Sequence, residues 1–222
     1  MFVSLSYPLS RDVPFWKELR RPSVEQLYDL SRGDVCNSFY FTTNNHAGTH
    51  VDGPNHFNPA GRRIGEYDVN ELVFTRPAVI EMEFGEAHLI GAGDLRRMNV
   101  EAACDVLLLR SGFSAHRASD ATLYVERGPG FSRGAAGYLL AALPNLKCLI
   151  VDFISIASTA HQEEGCDAHR VFLGCAGYSE RTVLLVEDAN IPAGFRAPKR
   201  ILVVPWMIDG VDSAPCTVLA ET

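Results

Sequence analysis

The sequence predicts a β-rich α/β domain, and three features of the chain carry that expectation. Short apolar runs rich in β-branched residues recur along it, too short for helices but suited to buried strands. Segments with helical spacing lie between some of these runs but are fewer than the strands, which argues against a regular strand–helix alternation. With 222 residues, 47% of them hydrophobic, the chain can bury a sizeable core, so one domain over residues 1–222 is expected.

In chain order, residues 22–28 read as a short helix, and residues 39–43 have the aromatic and β-branched content of a strand. Buried strands follow at 78–82 and 105–109, with a short helix over 94–98 between them. Ala135, Leu139, Leu140 and Leu143 recur at helical spacing, and Ser132 is placed to cap that helix. Strands at 148–152, 182–186 and 201–204 complete the set, with a further helix over 167–173. No internal repeat, low-complexity tract or linker interrupts the pattern.

A formal net charge of -7 gives no broad attraction to nucleic acid or to an anionic membrane, so neither is expected as a partner. No apolar stretch reaches the length of a membrane-spanning helix, and residues 1–6 do not read as a signal peptide. The six cysteines form no Cys-x-x-Cys pair, and several adjoin apolar runs. Buried free thiols in a reducing compartment are expected, hence a cytoplasmic protein.

The chemistry concentrates in residues 46–56, His-Ala-Gly-Thr-His-Val-Asp-Gly-Pro-Asn-His. His46, His50, Asp52 and His56 fall at offsets of 4, 6 and 10. Imidazole and carboxylate suit zinc and other divalent first-row metals. A helix would turn Asp52 away from the histidines, and Gly48, Gly53 and Pro54 disfavour one. On an extended chain, His46, Gly48, His50 and Asp52 share one face, Val51 points to apolar packing, and Gly48 leaves room between the two histidines. Gly53-Pro54 then bends the chain so that His56 can return to the same centre. A hydrogen-bonded loop satisfied by Thr49 and Asn55 is the alternative reading.

This segment resembles the signature His-x-Gly-Thr-His-x-Asp-x-Pro-x-His of the cyclase-like metal-dependent hydrolase family, which includes bacterial kynurenine formamidases and isatin hydrolases. Every fixed position is matched. Residues 5–10, 110–113, 128–132 and 151–156 resemble further family segments in the same order. The resemblance implies a β-rich swivelling β/β/α fold and a homo-oligomer, dimer or tetramer. It also implies one or two divalent ions per chain, zinc or manganese. It assigns His169, in a late helix, and Glu187, ending a strand, to the metal beside His46, His50 and Asp52. Asp52 could bridge two ions.

His56 is the candidate for proton transfer, since imidazole titrates near pH ~6.5; a fourth ligand is its other possible role. His161 reads as part of a polar loop, and Asp152 as structural or as an organiser of the site. The implied reaction is hydrolysis of a small amide by metal-activated water, with an arylformamide such as N-formylkynurenine as the named substrate. An isatin-like cyclic amide hydrolase, a metal-dependent cyclase or dehydratase, and a noncatalytic metal- or ligand-binding protein are the alternatives. Phe15, Trp16, Phe57 and Trp206 could line an aromatic pocket or serve as core or interface. Ser111 lacks a nucleophile elbow, and Gly128-Pro129-Gly130 is no nucleotide loop. Two departures from the formamidase pattern, residues 14–18 and the lengthened connection over 175–181, could shape the substrate pocket.

Overall fold

The computed structural model describes residues 1–16 and 19–222. Its first strands are Phe2–Ser4 (β1), Ser23–Tyr28 (β2), Ser38–Thr42 (β3) and His50–Asp52 (β4). Val73–Phe74 (β5), Pro77–Glu81 (β6) and Leu89–Ile90 (β7) follow, then helix Ala92–Leu95 (α1) and strand Val106–Arg110 (β8). His116–Ser119 (α2) and Ala121–Glu126 (α3) lead to Gly130–Phe131 (β9), Arg133–Ala142 (α4) and Cys148–Val151 (β10). Gln162–Phe172 (α5), Leu184–Glu187 (β11), Arg200–Pro205 (β12) and Ser213–Glu221 (β13) complete the chain.

One nine-stranded sheet runs β5-β12-β13-β4-β11-β10-β8-β6, with β1 also on β13, and it is nearly closed like a barrel. β6, β8, β10 and β11 are parallel neighbours. α4 and α5 lie in the returns that such pairs need. β4 is antiparallel to both β11 and β13.

Period-two alternation in these strands creates two cores. Val106, Leu108, Cys148, Ile150, Leu184 and Val186 pack inside with Val51. Leu107, Leu109, Leu149, Val151 and Leu185 pack on the opposite side with α4 and α5. Glu187, two residues beyond Leu185, therefore emerges on the helix side. His50 and Asp52, flanking Val51, do the same. Ser132 caps α4, its hydroxyl accepting from the Ala135 amide.

One expected helix is a strand. Of residues 22–28, Ser23–Tyr28 form β2, paired antiparallel with β3, Val24 opposite Phe41 and Glu25 opposite Tyr40. Seven residues are too few for a helix to hold without tertiary support. Pairing with the aromatic strand supplies cross-strand contacts instead. β13 is a strand that no expectation covered, and the strand placed at 182–186 begins two residues later. Among the described residues no helix is long and apolar enough to cross a membrane.

Candidate metal centre

Three elements deliver four buried polar side chains to one point. Antiparallel register sets His50 of β4 opposite Glu187 of β11, and Asp52 opposite Leu185. His169 arrives from the last turn of α5. All four are buried. His50 Nε2 lies 3.4 Å from Glu187 Oε2 and 3.6 Å from Asp52 Oδ1. His169 Nε2 lies 3.5 Å from Glu187 Oε1 and 4.0 Å from Asp52 Oδ2.

His46 joins by a different route from the expected one. Only residues 50–52 are extended; His46 sits in the preceding turn, which Gly48 closes at φ +67°. Gly48 therefore serves the left-handed backbone and a close approach to Leu9, not the space between histidines. The turn still brings His46 Nδ1 to 3.1 Å from Asp52 Oδ1. His56 follows on the short 3-10 turn Pro54–His56, as the Gly-Pro bend predicts. Its ring centroid is 4.3 Å from that of His46. The alternative loop reading holds in part, because Thr49 donates to the Asp188 carbonyl at 2.6 Å and accepts from the Tyr7 amide.

The chemistry of these atoms fits a divalent cation. His50 Nδ1 donates to the Gly48 carbonyl at 2.8 Å, and His169 Nδ1 to the Gly165 carbonyl at 2.9 Å. In each neutral ring Nε2 is then a lone-pair donor facing carboxylates. Glu187 is fixed by the Ile156 amide at 2.7 Å and the Ser155 hydroxyl at 3.0 Å. His50 Nε2 and both Asp52 oxygens have no hydrogen-bond partner. Such orphans cost about 1–3 kcal/mol each, and one cation among them would satisfy all three. Ligands at 2.0–2.2 Å around a tetrahedral ion stand roughly 3.3–3.6 Å apart, close to the separations here.

Electrostatics agree. Burial works against the charged form of His46, but Asp52 and Asp212 outweigh it and raise its pKa to about 10. His50 and His169 are raised in the same way, against burial, by Asp52 and Glu187. Asp52 and Glu187 are lowered despite burial, by the neighbouring histidines. The carboxylates thus draw positive charge into the cavity, and a metal would take the place of imidazolium protons. Two groups, His46-Asp52-His56 and His50-Asp52-Glu187, bring ligand atoms within 4.8 Å of one another, and Asp52 is common to both.

His46, His50, His56, His169 and Glu187 line a cleft of about 450 Å³ that Trp16 and Phe57 help to wall. Phe57 stacks on His169 with centroids 4.7 Å apart. No lysine or arginine is among the described residues of the wall. Phe15 and Trp206 are not part of it: Arg21 lies over the Phe15 ring, and Trp206 is exposed against Phe41. Of the first departure, Trp16 does shape the cleft, whereas Lys17 and Glu18 lie outside the described residues. The second departure does not line it. Arg181 instead donates to carbonyls at the end of α4, and Tyr178 to Asp167.

His161 also stands apart, its Nε2 contacting the Ala87 carbonyl at 3.0 Å. Ser111 donates to Asp152 at 2.6 Å, and Asp152 organises the turn after β8 through the Gly112 amide and the Ser114 hydroxyl. Sequence reading missed Asp212, which contacts His46 and His56 from the loop before β13. It also missed Arg117, which pairs with Asp188 beside Glu187. Neither carries a periodic or motif signal.

Gly165 explains the close seating of α5. A Cβ there would stand 2.4 Å from Ala157 Cα, and the Gly165 carbonyl holds His169. Gly165→Ala is expected to push α5 outward and to destabilise by about 1–3 kcal/mol. Thermal melting checks the cost, and weaker metal binding would report the displaced His169.

Comparison with known proteins gives the family and the fold. The Cyclase family model ("Putative cyclase") matches residues 3–158. A kynurenine formamidase of Bacillus thuringiensis (strain Al Hakam) is 26% identical over 154 residues, 69% of this chain and 63% of the relative. One of Bacillus anthracis is 25% identical over the same shares. The chain thus spans about 63% of the length of these curated relatives. Among solved structures, isatin hydrolase A from Ralstonia solanacearum superposes with TM-score 0.80 at 20% identity, covering 99% of this chain and 91% of that one. A predicted metal-dependent hydrolase from Bacillus stearothermophilus gives 0.76 at 18% identity, covering 99% and 97%. At these identities the likeness establishes the fold.

Proposed function

The chain belongs to the Cyclase family, and from that premise we propose that it is a divalent-metal-dependent hydrolase of a small amide joined to an aromatic ring. One observation carries the reading: orphaned donor atoms of His50 and Asp52 converge with His169 and Glu187 at an aromatic-walled cleft. His46, His50, Asp52, His169 and Glu187 would hold zinc or manganese, one ion or two with Asp52 between them. Such an ion supplies Lewis acidity to a carbonyl oxygen and makes water acidic enough to serve near neutral pH.

The side chains do the rest. Trp16 and Phe57 orient an aromatic ring and exclude water. His56 lines the cleft, and with Nδ1 bound to Asp212 its Nε2 is left to exchange protons with water and with the departing amine. Ser155 and Ile156 keep Glu187 from acting as a mobile base.

Arylformamides are the first substrate class. Formanilide-like compounds, N-formylkynurenine and a cyclic amide such as isatin are the members that the aromatic-walled cleft suggests. A panel of these three compounds, with esters and with zinc or manganese added, decides the matter. Turnover of none, with metal bound, would leave a binding protein. New ring-closed or dehydrated products would instead mark a cyclase or dehydratase.

His56→Ala is expected to retain the metal and to lower kcat by about 10²–10⁴-fold. Loss of metal in that variant would make His56 a ligand. Homo-oligomeric assembly belongs to the same reading, supported by the bare aromatic ribbon at Phe39 and Tyr40. A monomer by light scattering would refute it. Four of the six cysteines, Cys104, Cys148, Cys175 and Cys216, are buried as expected, whereas Cys36 is exposed and Cys166 half-buried; the buried thiols support a reducing, cytoplasmic setting.

A further inference from the structure

We propose that Asp212 is a positioning residue that sets the ring orientation and proton placement of His46 and His56 together. For His46 the inference rests on the metal reading above; for His56 it does not.

Asp212 Oδ2 lies 2.7 Å from His56 Nδ1 and 3.2 Å from His46 Nε2. An ionised carboxylate only accepts, so both nitrogens must donate. The two rings are thereby held in opposite tautomers. His46 carries its proton on Nε2, which leaves Nδ1, 3.1 Å from Asp52, as the ligand atom. His56 carries its proton on Nδ1, which leaves Nε2 for proton exchange. Free imidazole has no strong preference between these forms, and the hydrogen bond at the other nitrogen decides.

Asp212 is itself fixed. Asn45 Nδ2 donates to its Oδ1 at 2.8 Å. The Gly53 amide donates to its carbonyl at 2.9 Å, and the next residue, Ser213, pairs with Asp52 across β4 and β13. The carboxylate is thus tied to the strand that carries His50 and Asp52.

Asp212→Asn is the informative variant. Its amide oxygen can still accept from Asn45, which turns the amide hydrogens towards the histidines and reverses the demand on both rings. Long-range ¹H–¹⁵N spectra of zinc-loaded, ¹⁵N-histidine protein should place the proton on His56 Nδ1 and on His46 Nε2. In Asp212→Asn the His56 proton should move to Nε2. Zinc affinity should fall about 10–100-fold, and kcat should fall more than KM rises. Asp212→Glu should restore the native proton placement with part of the activity. Melting of the zinc-free proteins checks that each variant folds. An unchanged His56 tautomer in Asp212→Asn, or zinc affinity and kcat both within twofold of the parent, overturns the proposal. Failure of the parent to bind zinc would sink the metal reading, while the His56 tautomer, read without metal, would still decide the role of Asp212.

Discussion

Asp52→Asn is expected to remove bound divalent metal and to lower turnover by about 10³-fold or more. Lewis-acid stabilisation is worth several kcal/mol, and about 4 kcal/mol corresponds to that factor in rate. The substitution keeps side-chain volume and breaks no hydrogen bond, because neither Asp52 oxygen has a partner. What it removes is the charge shared by His46, His50 and His169. Elemental analysis and steady-state kinetics read the effect, and His50→Ala should behave alike. A second readout avoids catalysis. Metal at 100 times its Kd stabilises the parent by about 2.7 kcal/mol, so a chelator should lower its melting temperature by roughly 5–10 °C. Asp52→Asn should not respond to the chelator. Full metal retention in either variant would refute the ligand assignment.

The site was legible where its parts are close in sequence. His46, His50, Asp52 and His56 lie within eleven residues, so their types and spacing alone suggest a metal loop. The split of Leu107 from Leu108 into opposite cores follows from the period-two pattern of a buried strand. His169 and Glu187 were reached only by resemblance, since one histidine in a helix and one carboxylate at a strand end have common structural roles. Asp212 meets His56 across 156 residues of chain, and no local pattern encodes such a meeting. Residues 22–28 failed for a related reason: their strand form depends on the partner strand at 38–42, not on their own periodicity. Pro215 and the cysteine and threonine after it blur the alternation of β13, whose register is set by β4 and β12.

Arg117→Met is expected to cost about 3–5 kcal/mol, the usual penalty for leaving a buried charge without its partner. Arg117 Nε and Nη2 each lie 2.7 Å from an oxygen of Asp188, and Tyr124 donates to the same carboxylate at 2.7 Å. Asp188 is fully buried and holds φ at 52°, a left-handed conformation uncommon outside glycine, asparagine and aspartate. Thr49 donates to its carbonyl, and its own amide donates to Phe153. The pair therefore braces the backbone between Glu187 and the strand that carries His50. For a chain of this size the loss corresponds to a melting temperature lower by roughly 6–20 °C. Arg117→Met/Asp188→Asn should recover much of it, because asparagine tolerates the backbone and can accept from Tyr124 without a buried charge. A double variant as unstable as the sum of the two singles would mean that the pair acts through packing alone. Recovery of stability without recovery of metal affinity would show that the Asp188 charge also helps to aim Glu187, a distinction that melting and metal titration on the same samples resolve.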